Sequence, residues 1–324
     1  MKRLLSAVLL CFLATSCGDG TSVKTSVAAP VGKSASPNGP PLQLGLLGTG
    51  TPIPETASSG PAAAIIAGDQ ALLVDAGAGV VRRAQAAYER GISALRPDAL
   101  GIIFLTHLHS DHTLGLPDVL FTPWIIGRRG GVDVFGPQGT RTMVDHLLAA
   151  WQQDIHVRET AESQESVASS VRVHEIREGI VYSRNGVTVR AFRVSHGDFP
   201  HAFGFRFDSG RDEIVISGDT APDDRIARMC DGCDILLHEV YCEQGFRKGP
   251  PDWQKYHAAF HTSGVQLARI AMEARPGKLV LTHLLRFGCT DAMLQDEVTA
   301  GYDGEVVLGH DLDVVTIDSA SVIR

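Results

Sequence analysis

The stretch Thr106-His107-Leu108-His109-Ser110-Asp111-His112 decides how this chain folds and what it can bind. It follows residues 101–105, an apolar run that predicts a fully buried strand. Three imidazoles and one carboxylate within six residues are costly to bury unless they are paired or hold a metal ion. Because a strand end delivers its loop to the edge of a sheet, the pattern predicts a metal site at that edge.

Three more potential ligands follow the ends of predicted strands further along the chain. They are His196, Asp219 and His283. A single histidine at a strand end is more often structural. Together with the four side chains of the first motif, however, they make seven ligands, enough for two metal ions that share one carboxylate.

The remaining pattern alternates strands with helices from residue 42 onward. Residues 155–180 are less patterned, and we predict a lid or an insertion there. Hairpins beside α/β units predict an α/β fold, an αββα sandwich of two mixed sheets with helices on the outer faces. The predicted strands are 42–47, 62–67, 70–75, 101–105, 132–135, 187–194, 202–208, 213–217, 234–240, 278–282, 305–309 and 312–317, and the predicted helices are 79–90, 140–152, 222–230, 262–274 and 291–298.

The N-terminus predicts export. Lys2 and Arg3 precede an apolar run at 4–13 and the small residues before Cys17, which is typical of a signal peptide over residues 1–16. The sequence around Cys17 also resembles a bacterial lipoprotein box, so a lipid on Cys17 is the one membrane contact we expect. Residues 17–41 are rich in Ser, Gly, Pro and Ala and predict a flexible linker, and residues 42–324 predict a single folded domain. The expected location is the bacterial periplasm or envelope.

The charge balance argues against a general binder of polyanions. The chain has 29 Lys+Arg and 37 Asp+Glu, a net charge of −8. Removing residues 1–16 deletes two basic residues and makes the balance −10. Nucleic-acid binding draws most of its affinity from neutralised phosphates, so we expect no nucleic-acid partner.

Four cysteines lie in the predicted domain, and an oxidising compartment would allow one or two disulfides among them. They are Cys230, Cys233, Cys242 and Cys289, which permit three full pairings. The Cys230-Asp-Gly-Cys233 motif lacks a second pair of ligands for a structural zinc. A loop disulfide or free thiols is therefore the favoured interpretation.

At this point the sequence resembles the metallo-β-lactamase fold superfamily, in the branch that contains ribonuclease Z, alkyl- and arylsulfatase-like enzymes and related phosphodiesterases. The resemblance covers nearly all of residues 43–317. It is carried by Gly48-Thr49-Gly50-Thr51-Pro52, Val74-Asp75-Ala76-Gly77-Ala78-Gly79, the motif at 107–112, His196, Gly218-Asp219-Thr220, His238-Glu239, His261-Thr262-Ser263 and Thr282-His283.

The resemblance implies two divalent metal ions that generate a hydroxide nucleophile. Zn²⁺ suits imidazole and carboxylate ligands best, with Mn²⁺ or Fe as alternatives. Asp111 is expected to orient or deprotonate the nucleophile as well. The implied metal ligands are His107, His109 and His196 for the first ion, Asp111, His112 and His283 for the second, and Asp219 as the bridge between them.

Other residues receive supporting roles from the same resemblance. His261, which we predict at the start of a helix, is expected to stabilise anionic charge together with free backbone N–H groups. Asp75 and Glu239 are expected to fix the orientation of imidazoles. Arg286 is a candidate contact for an anionic substrate.

The sequence therefore leads us to expect an exported two-metal hydrolase of small esters. The expected partner is an anionic small molecule, a phosphodiester or a sulfate ester, and a homodimer is expected from the branch. Hydrolysis of a lactone or β-lactam ring is the alternative, and a metal-binding protein without activity is a weaker one. A tRNA 3′-endonuclease is also disfavoured, because residues 208–211 predict a tight hairpin where tRNA-processing ribonuclease Z inserts a long arm.

Overall fold

The computed structural model describes residues 39–128, 130–162 and 165–318 and the backbone of residues 322–323. The predicted signal peptide at 1–16 lies outside the described residues, as does the predicted linker as far as residue 38. Export and the lipid on Cys17 therefore stay predictions. The first strand begins at Leu42, the residue at which the predicted domain starts.

Fifteen strands and eleven α-helices form the described part of the chain. The strands are β1 Leu42–Gly48, β2 Ala62–Ala67, β3 Gln70–Val74, β4 Ile102–Phe104, β5 Val132–Gly136, β6 Val171–Glu175, β7 Gly179–Arg184, β8 Val187–Arg193, β9 Phe203–Asp208, β10 Glu213–Ile216, β11 Ile235–Tyr241, β12 Lys278–Leu285, β13 Val306–Leu308, β14 Val314–Thr316 and β15 Val322–Ile323. The helices are α1 Val80–Glu89, α2 Ser110–Thr113, α3 Leu116–Ile125, α4 Thr140–Ala150, α5 Gln152–Ala161, α6 Val167–Ser170, α7 Asp224–Cys230, α8 Glu243–Phe246, α9 Pro251–Phe260, α10 Gly264–Ala274 and α11 Asp291–Thr299.

The strands form two mixed sheets, in the orders β15-β14-β1-β2-β3-β4-β5-β6 and β13-β12-β11-β10-β9-β8-β7. Each sheet has a parallel part, β3 to β6 in the first and β10 to β13 in the second, where crossover connections carry most of the helices. Phe104 of the first sheet packs against Phe205 and Phe207 of the second, in the core between the sheets. The opposite faces pack against α1 and α3 on one side and α7, α10 and α11 on the other. The predicted αββα sandwich is confirmed.

The structure differs from the prediction at residues 155–180. The described residues of this segment form the end of α5, α6, β6 and the start of β7 and not a lid or an insertion, because β6 and β7 are the edge strands of the two sheets. An edge strand is half solvated, and only Val173 in β6 and Tyr182 in β7 are buried. The alternation of apolar and polar residues that identifies a strand is therefore weak in this segment.

A buried carboxylate ties these two edges together. Asp133 on β5 accepts hydrogen bonds from Nε and Nη2 of Arg172, each at 2.9 Å, and lies 2.8 Å from Nε2 of His174. Arg184 on β7 of the other sheet lies 3.5 Å away. Burial alone would raise the pKa of Asp133, but the hydrogen bonds from Arg172 and His174 outweigh burial and lower it to about 2.

We expect Asp133→Asn to lower the free energy of unfolding at pH 7 by about 2 kcal/mol, since it removes charge-assisted hydrogen bonds to a buried group. Because the folded-state pKa lies below the unfolded value, the carboxylate stabilises the fold above about pH 4 and loses this effect as the pH falls toward 2. Urea unfolding at pH 7 and at pH 3 measures this pH dependence. Between pH 7 and pH 3, the free energy of unfolding should fall less for Asp133→Asn than for the unmodified chain. Asp69→Asn, at an exposed turn, is the control, and equal unfolding midpoints for both variants would contradict the prediction.

The four cysteines of the domain form two disulfides, Cys230–Cys233 and Cys242–Cys289. The Cys230-Asp-Gly-Cys233 motif is therefore a loop disulfide, as favoured, and its sulfurs are not metal ligands. The second disulfide joins the chain after β11 to the chain after β12, on the side of the second sheet that carries the predicted ligands. Among the described residues, no helix combines the length and the apolar character needed to cross a membrane.

Candidate functional site

The predicted ligands meet at one edge of the sandwich, where the carboxyl ends of several strands lie side by side. The motif at 107–112 follows β4, His196 follows β8, Asp219 follows β10, and His283 lies in the last part of β12. All of them are buried or half-buried. Residues up to 176 positions apart in the sequence therefore share one site because their strands end at the same edge.

Two backbone irregularities aim ligands into this site. Gly218, with φ of 62°, brings the chain so close to β9 that a Cβ there would lie 2.8 Å from the carbonyl oxygen of Phe203. Only glycine fits this approach, which precedes Asp219. His283 has φ of 45° and lies at a β-bulge, where the register between β11 and β12 shifts. A bulge re-aims a side chain, and here it presents the imidazole of His283 to the site.

The first cluster consists of three converging imidazoles. Nδ1 of His109 lies 2.9 Å from Nε2 of His107 and 3.0 Å from Nε2 of His196. The opposite ring nitrogens are held in place: Nδ1 of His107 lies 3.0 Å from Oγ1 of Thr106, and Nδ1 of His196 donates to the carbonyl of Phe260 at 2.9 Å. One shared proton cannot satisfy three nitrogens, so the cluster fits a metal ion with oriented ligands.

The second cluster combines two imidazoles with two carboxylates. Nε2 of His112 lies 3.3 Å from Oδ2 of Asp219 and 3.5 Å from Oδ2 of Asp111. Nε2 of His283 lies 3.4 Å and 3.3 Å from the same two oxygens. Ligands placed tetrahedrally around Zn²⁺ at its usual bond lengths are about 3.4 Å apart. The donor set therefore fits a divalent metal in both type and spacing.

Hydrogen bonds in the second cluster point to the same conclusion. Nε2 of His112 is buried and makes no hydrogen bond, although its other nitrogen, Nδ1, donates to Oδ2 of Asp75 at 2.8 Å. Asp75 is held in turn by the N–H of Thr106 at 2.8 Å. Asp75 thus contacts a predicted ligand as expected, and it leaves Nε2 of His112 free to face the cluster.

The protonation states of the first cluster and of Asp219 suit metal binding. Burial lowers the pKa of His107 and lowers that of His196 to about 4, so both imidazoles are neutral at neutral pH. Burial would raise the pKa of Asp219, but the charges of His283 and His112 outweigh burial and hold it well below its usual value. Neutral imidazoles and an ionised carboxylate are the forms that bind metals. At His112 and His283, burial would lower the pKa, but the charge of Asp219 and hydrogen bonds to carboxylates outweigh it and raise the pKa, so a metal ion would displace a proton from each ring.

His261 lies beside the second cluster, but not at the start of a helix. It follows the end of α9, and α10 begins at Gly264 with Ser263 as its N-cap. The N–H groups of His261, Thr262 and Ser263 donate to the carbonyl of His257, to Glu239 and to Gln266. The expectation of free backbone N–H groups here is wrong, because those groups are already paired, and only the imidazole is left to act.

The imidazole of His261 faces carboxylates on two sides. Nδ1 lies 3.4 Å from Oε1 of Glu239 and 3.9 Å from Oδ2 of Asp219, and the ring stacks on that of His283 with centroids 5.6 Å apart. Glu239 Oε1 also accepts from the N–H of Thr262 at 3.0 Å. Glu239 therefore lies beside one imidazole of the site, although the sequence did not indicate which ring it would accompany. His261, Asp219 and His283 could also group around one ion, so metal content has to decide whether His261 is a ligand.

Arg286 does not face the site as a free cation. It donates to Glu55 at 3.0 Å and to Asp291 at 2.6 Å, so its charge is already paired with two carboxylates. Its contact with Glu55 ties the loop after β1 to the end of β12. The expected contact with an anionic substrate has no support from this geometry.

The sequence did not point to the aromatic rings that flank the first cluster. The ring of Phe199 lies 4.2 Å from that of His109, and the ring of Phe260 lies 4.9 Å from that of His196. The available signal was position, since Phe199 is three residues after His196 and Phe260 directly precedes His261. An isolated phenylalanine is usually a core residue, so the sequence alone does not indicate that these two rings lie at the site.

Several known proteins are similar to this chain in sequence or in fold. Residues 70–284 match the family model described as a β-lactamase superfamily domain. Ribonuclease Z of Mycobacterium bovis (strain BCG / Pasteur 1173P2) is 34% identical over 281 residues, which cover 85% of this chain and 98% of that protein. The metallo-β-lactamase fold protein YhfI from Bacillus subtilis superposes with a TM-score of 0.63 at 19% identity, covering 85% of this chain and 98% of that one. The short form of human tRNase Z superposes with a TM-score of 0.62 at 23% identity, covering 86% of this chain and 100% of that one.

These similarities correct two expectations from the sequence. Hydrolysis of small phosphate or sulfate esters is wrong as the leading function, as is the lactone or β-lactam alternative, because the curated relatives are named ribonuclease Z. The expected absence of a nucleic-acid partner is wrong for the same reason. Net charge misled here, since a whole-chain balance does not describe the surface around one site.

Proposed function

The chain belongs to the metallo-β-lactamase superfamily, in the branch of ribonuclease Z, and from that membership we propose that it is a metal-dependent phosphodiesterase that cleaves RNA. The observation that carries the proposal is the complete set of seven converging ligands in a chain that matches 98% of the length of a ribonuclease Z. Hydrolysis of a phosphodiester suits such a site, because two cations can stabilise the charge on both the attacking and the leaving oxygen.

We assign the first ion to His107, His109 and His196 and the second to Asp111, His112 and His283, with Asp219 between them. Zn²⁺ is the ion that imidazole and carboxylate ligands fit best, and Mn²⁺ and Fe are the alternatives. When bound, the ions supply Lewis acidity and a nucleophile at neutral pH.

The other polar residues of the site hold and move protons. Asp111 is half-buried at the mouth of the second cluster, and its carboxylate can accept a proton from an attacking water. Burial lowers the pKa of His261 to about 4, so its neutral imidazole can place a ring N–H against the charge that develops on the leaving oxygen, with Nδ1 beside Glu239. Asp75 fixes the ring of His112, and Glu239 fixes the ring of His261.

Substrate binding has to come from the surface around the site itself. The long arm expected of tRNA-processing enzymes has no counterpart between β9 and β10, which are joined by the four residues 209–212. We therefore propose RNA as the substrate class and do not restrict it to tRNA precursors.

RNA cleavage by the purified chain tests this proposal. The substrates are a tRNA with a 3′ extension, an unstructured RNA of equal length, and the same unstructured sequence as DNA. We expect cleavage of RNA that leaves a 3′-hydroxyl and stops on chelation, with at least one RNA cut about tenfold faster than the DNA. The control is Asp224→Ala, an exposed carboxylate on α7, which should cleave like the unmodified chain. Equal rates on RNA and DNA, or no cleavage by the metal-loaded chain, would contradict the proposal.

A further inference from the structure

The outer surface of α9 carries an aromatic ring beside the metal cluster that nothing in the proposed chemistry uses. Tyr256 exposes 48% of its surface, and its ring stacks on Phe260 with centroids 4.4 Å apart and planes within 25°. Phe260 in turn lies edge-on against the metal ligand His196, at 4.9 Å. Two ring-to-ring contacts therefore connect an exposed tyrosine to the first cluster.

We propose that Tyr256 is the stacking platform for a nucleobase of the substrate, next to the scissile phosphate. This inference rests on the proposed function, since it names the part of RNA that this side of the site would hold. One face of the ring is supported by Phe260, and an exposed, supported aromatic face is what stacks on an unpaired base.

The charges around Tyr256 fit the phosphates that accompany a base. Lys248 and Lys255 are exposed, and neither makes an ion pair within the described ranges. Lys255 directly precedes Tyr256, and Lys248 lies just before α9. Asp252, one helical turn before Tyr256, is an exposed carboxylate of the same helix. Lys248, Lys255 and Asp252 together leave a small local excess of positive charge in a chain whose net charge is −8.

Trp253, another aromatic residue of α9, is already packed against other side chains and is not available for stacking on a base. Trp253 lies 4.5 Å from Phe287 and 4.3 Å from His257, ring to ring, in the small cluster of Tyr241, Phe246 and Leu285. These contacts fasten α9 to the ends of β11 and β12. Tyr256 is thus displayed from a helix that is held in place, and stacking on it costs little ordering of the protein.

A pair of matched substrates separates base recognition from chemistry. Uridine 5′-(p-nitrophenyl phosphate) and methyl p-nitrophenyl phosphate release the same leaving group, and only the first carries a base. For Tyr256→Leu we expect the ratio of their kcat/KM values to fall about tenfold, with metal content unchanged. Tyr256→Phe should keep the ratio, because it retains the ring. Tyr88→Leu, which removes an exposed tyrosine from α1, is the matched control.

A binding measurement keeps the inference testable if neither ester is cleaved, an outcome that would count against the proposed phosphodiesterase and not against the platform. The probe is a fluorescein-labelled oligoadenylate with phosphorothioate linkages, followed by anisotropy with the intact chain. We expect Kd to rise about tenfold for Tyr256→Leu and not for Tyr256→Phe or Tyr88→Leu. An unchanged Kd for Tyr256→Leu, or an unchanged ratio with the two esters, would overturn the inference.

Discussion

Replacing Asp219 by alanine is expected to remove the metal ions and to lower kcat/KM for RNA by more than about a thousandfold. Among the described residues, Asp219 is the one carboxylate that reaches both groups of ligands. It belongs to a cluster with His107 and His112, and its Oδ2 lies 3.4 Å from Nε2 of His283. Without Asp219, each of the two groups of ligands would be incomplete, and the buried imidazoles would lie next to one another with no shared carboxylate between them. Metal content by mass spectrometry and RNA cleavage are the two readouts.

Two further variants make this result interpretable. Asp219→Asn keeps the size of the side chain but removes its charge, so it should lose metal while retaining the fold, as circular dichroism would report. Asp224→Ala removes an exposed carboxylate five positions further along and should keep both metal and activity. If Asp219→Ala retained two ions per chain and full activity, the bridging assignment would have to be abandoned.

His261→Ala is expected to separate turnover from metal binding. Metal content should stay at the level of the unmodified chain, while kcat falls by about 10²- to 10³-fold, which is typical for loss of one donor to a developing negative charge. The reason is position: the imidazole lies beside Glu239 and Asp219, next to the second cluster, and the N–H groups of residues 261–263 are already paired.

The comparison with a second histidine variant guards against a general effect. His156→Ala, on the exposed side of α5, should change neither quantity. Loss of one metal ion in His261→Ala would make His261 a ligand, in the group that it can form with Asp219 and His283. An unchanged kcat on RNA would return it to a structural role.

The sequence predicted the sandwich and the ligand clusters because both leave a local signature. A buried strand that ends in several ionisable residues has few explanations other than a metal site, and β4 with the motif at 107–112 is such a case. The segments that were not predicted lack a periodic pattern of apolar residues. Helix α3 is almost wholly apolar with a proline inside, and β6 is half solvated, so neither shows the spacing that identifies a helix or a strand.

Local sequence could not show what depends on contacts between distant strands. The bulge at His283 arises from the pairing of β11 with β12. The stacked rings of Tyr256 and Phe260 can be recognised as part of the site only once the fold places them beside His196. The expected absence of a nucleic-acid partner was wrong because the net charge of the whole chain does not describe the surface around one site. The export signal before residue 17 lies outside the described residues and stays a prediction, although two disulfides are typical of an oxidising compartment.

We propose that two metal ions held by these seven side chains cleave RNA, and a titration of the chelated, metal-free chain with Zn²⁺ or Mn²⁺ can decide this when cleavage of a labelled RNA is followed. We expect no cleavage by the metal-free chain and a rate that rises until two ions per chain are bound, with no recovery in Asp219→Ala at any metal concentration. Cleavage that persists in chelator, or RNA left intact when two ions are bound, would contradict it.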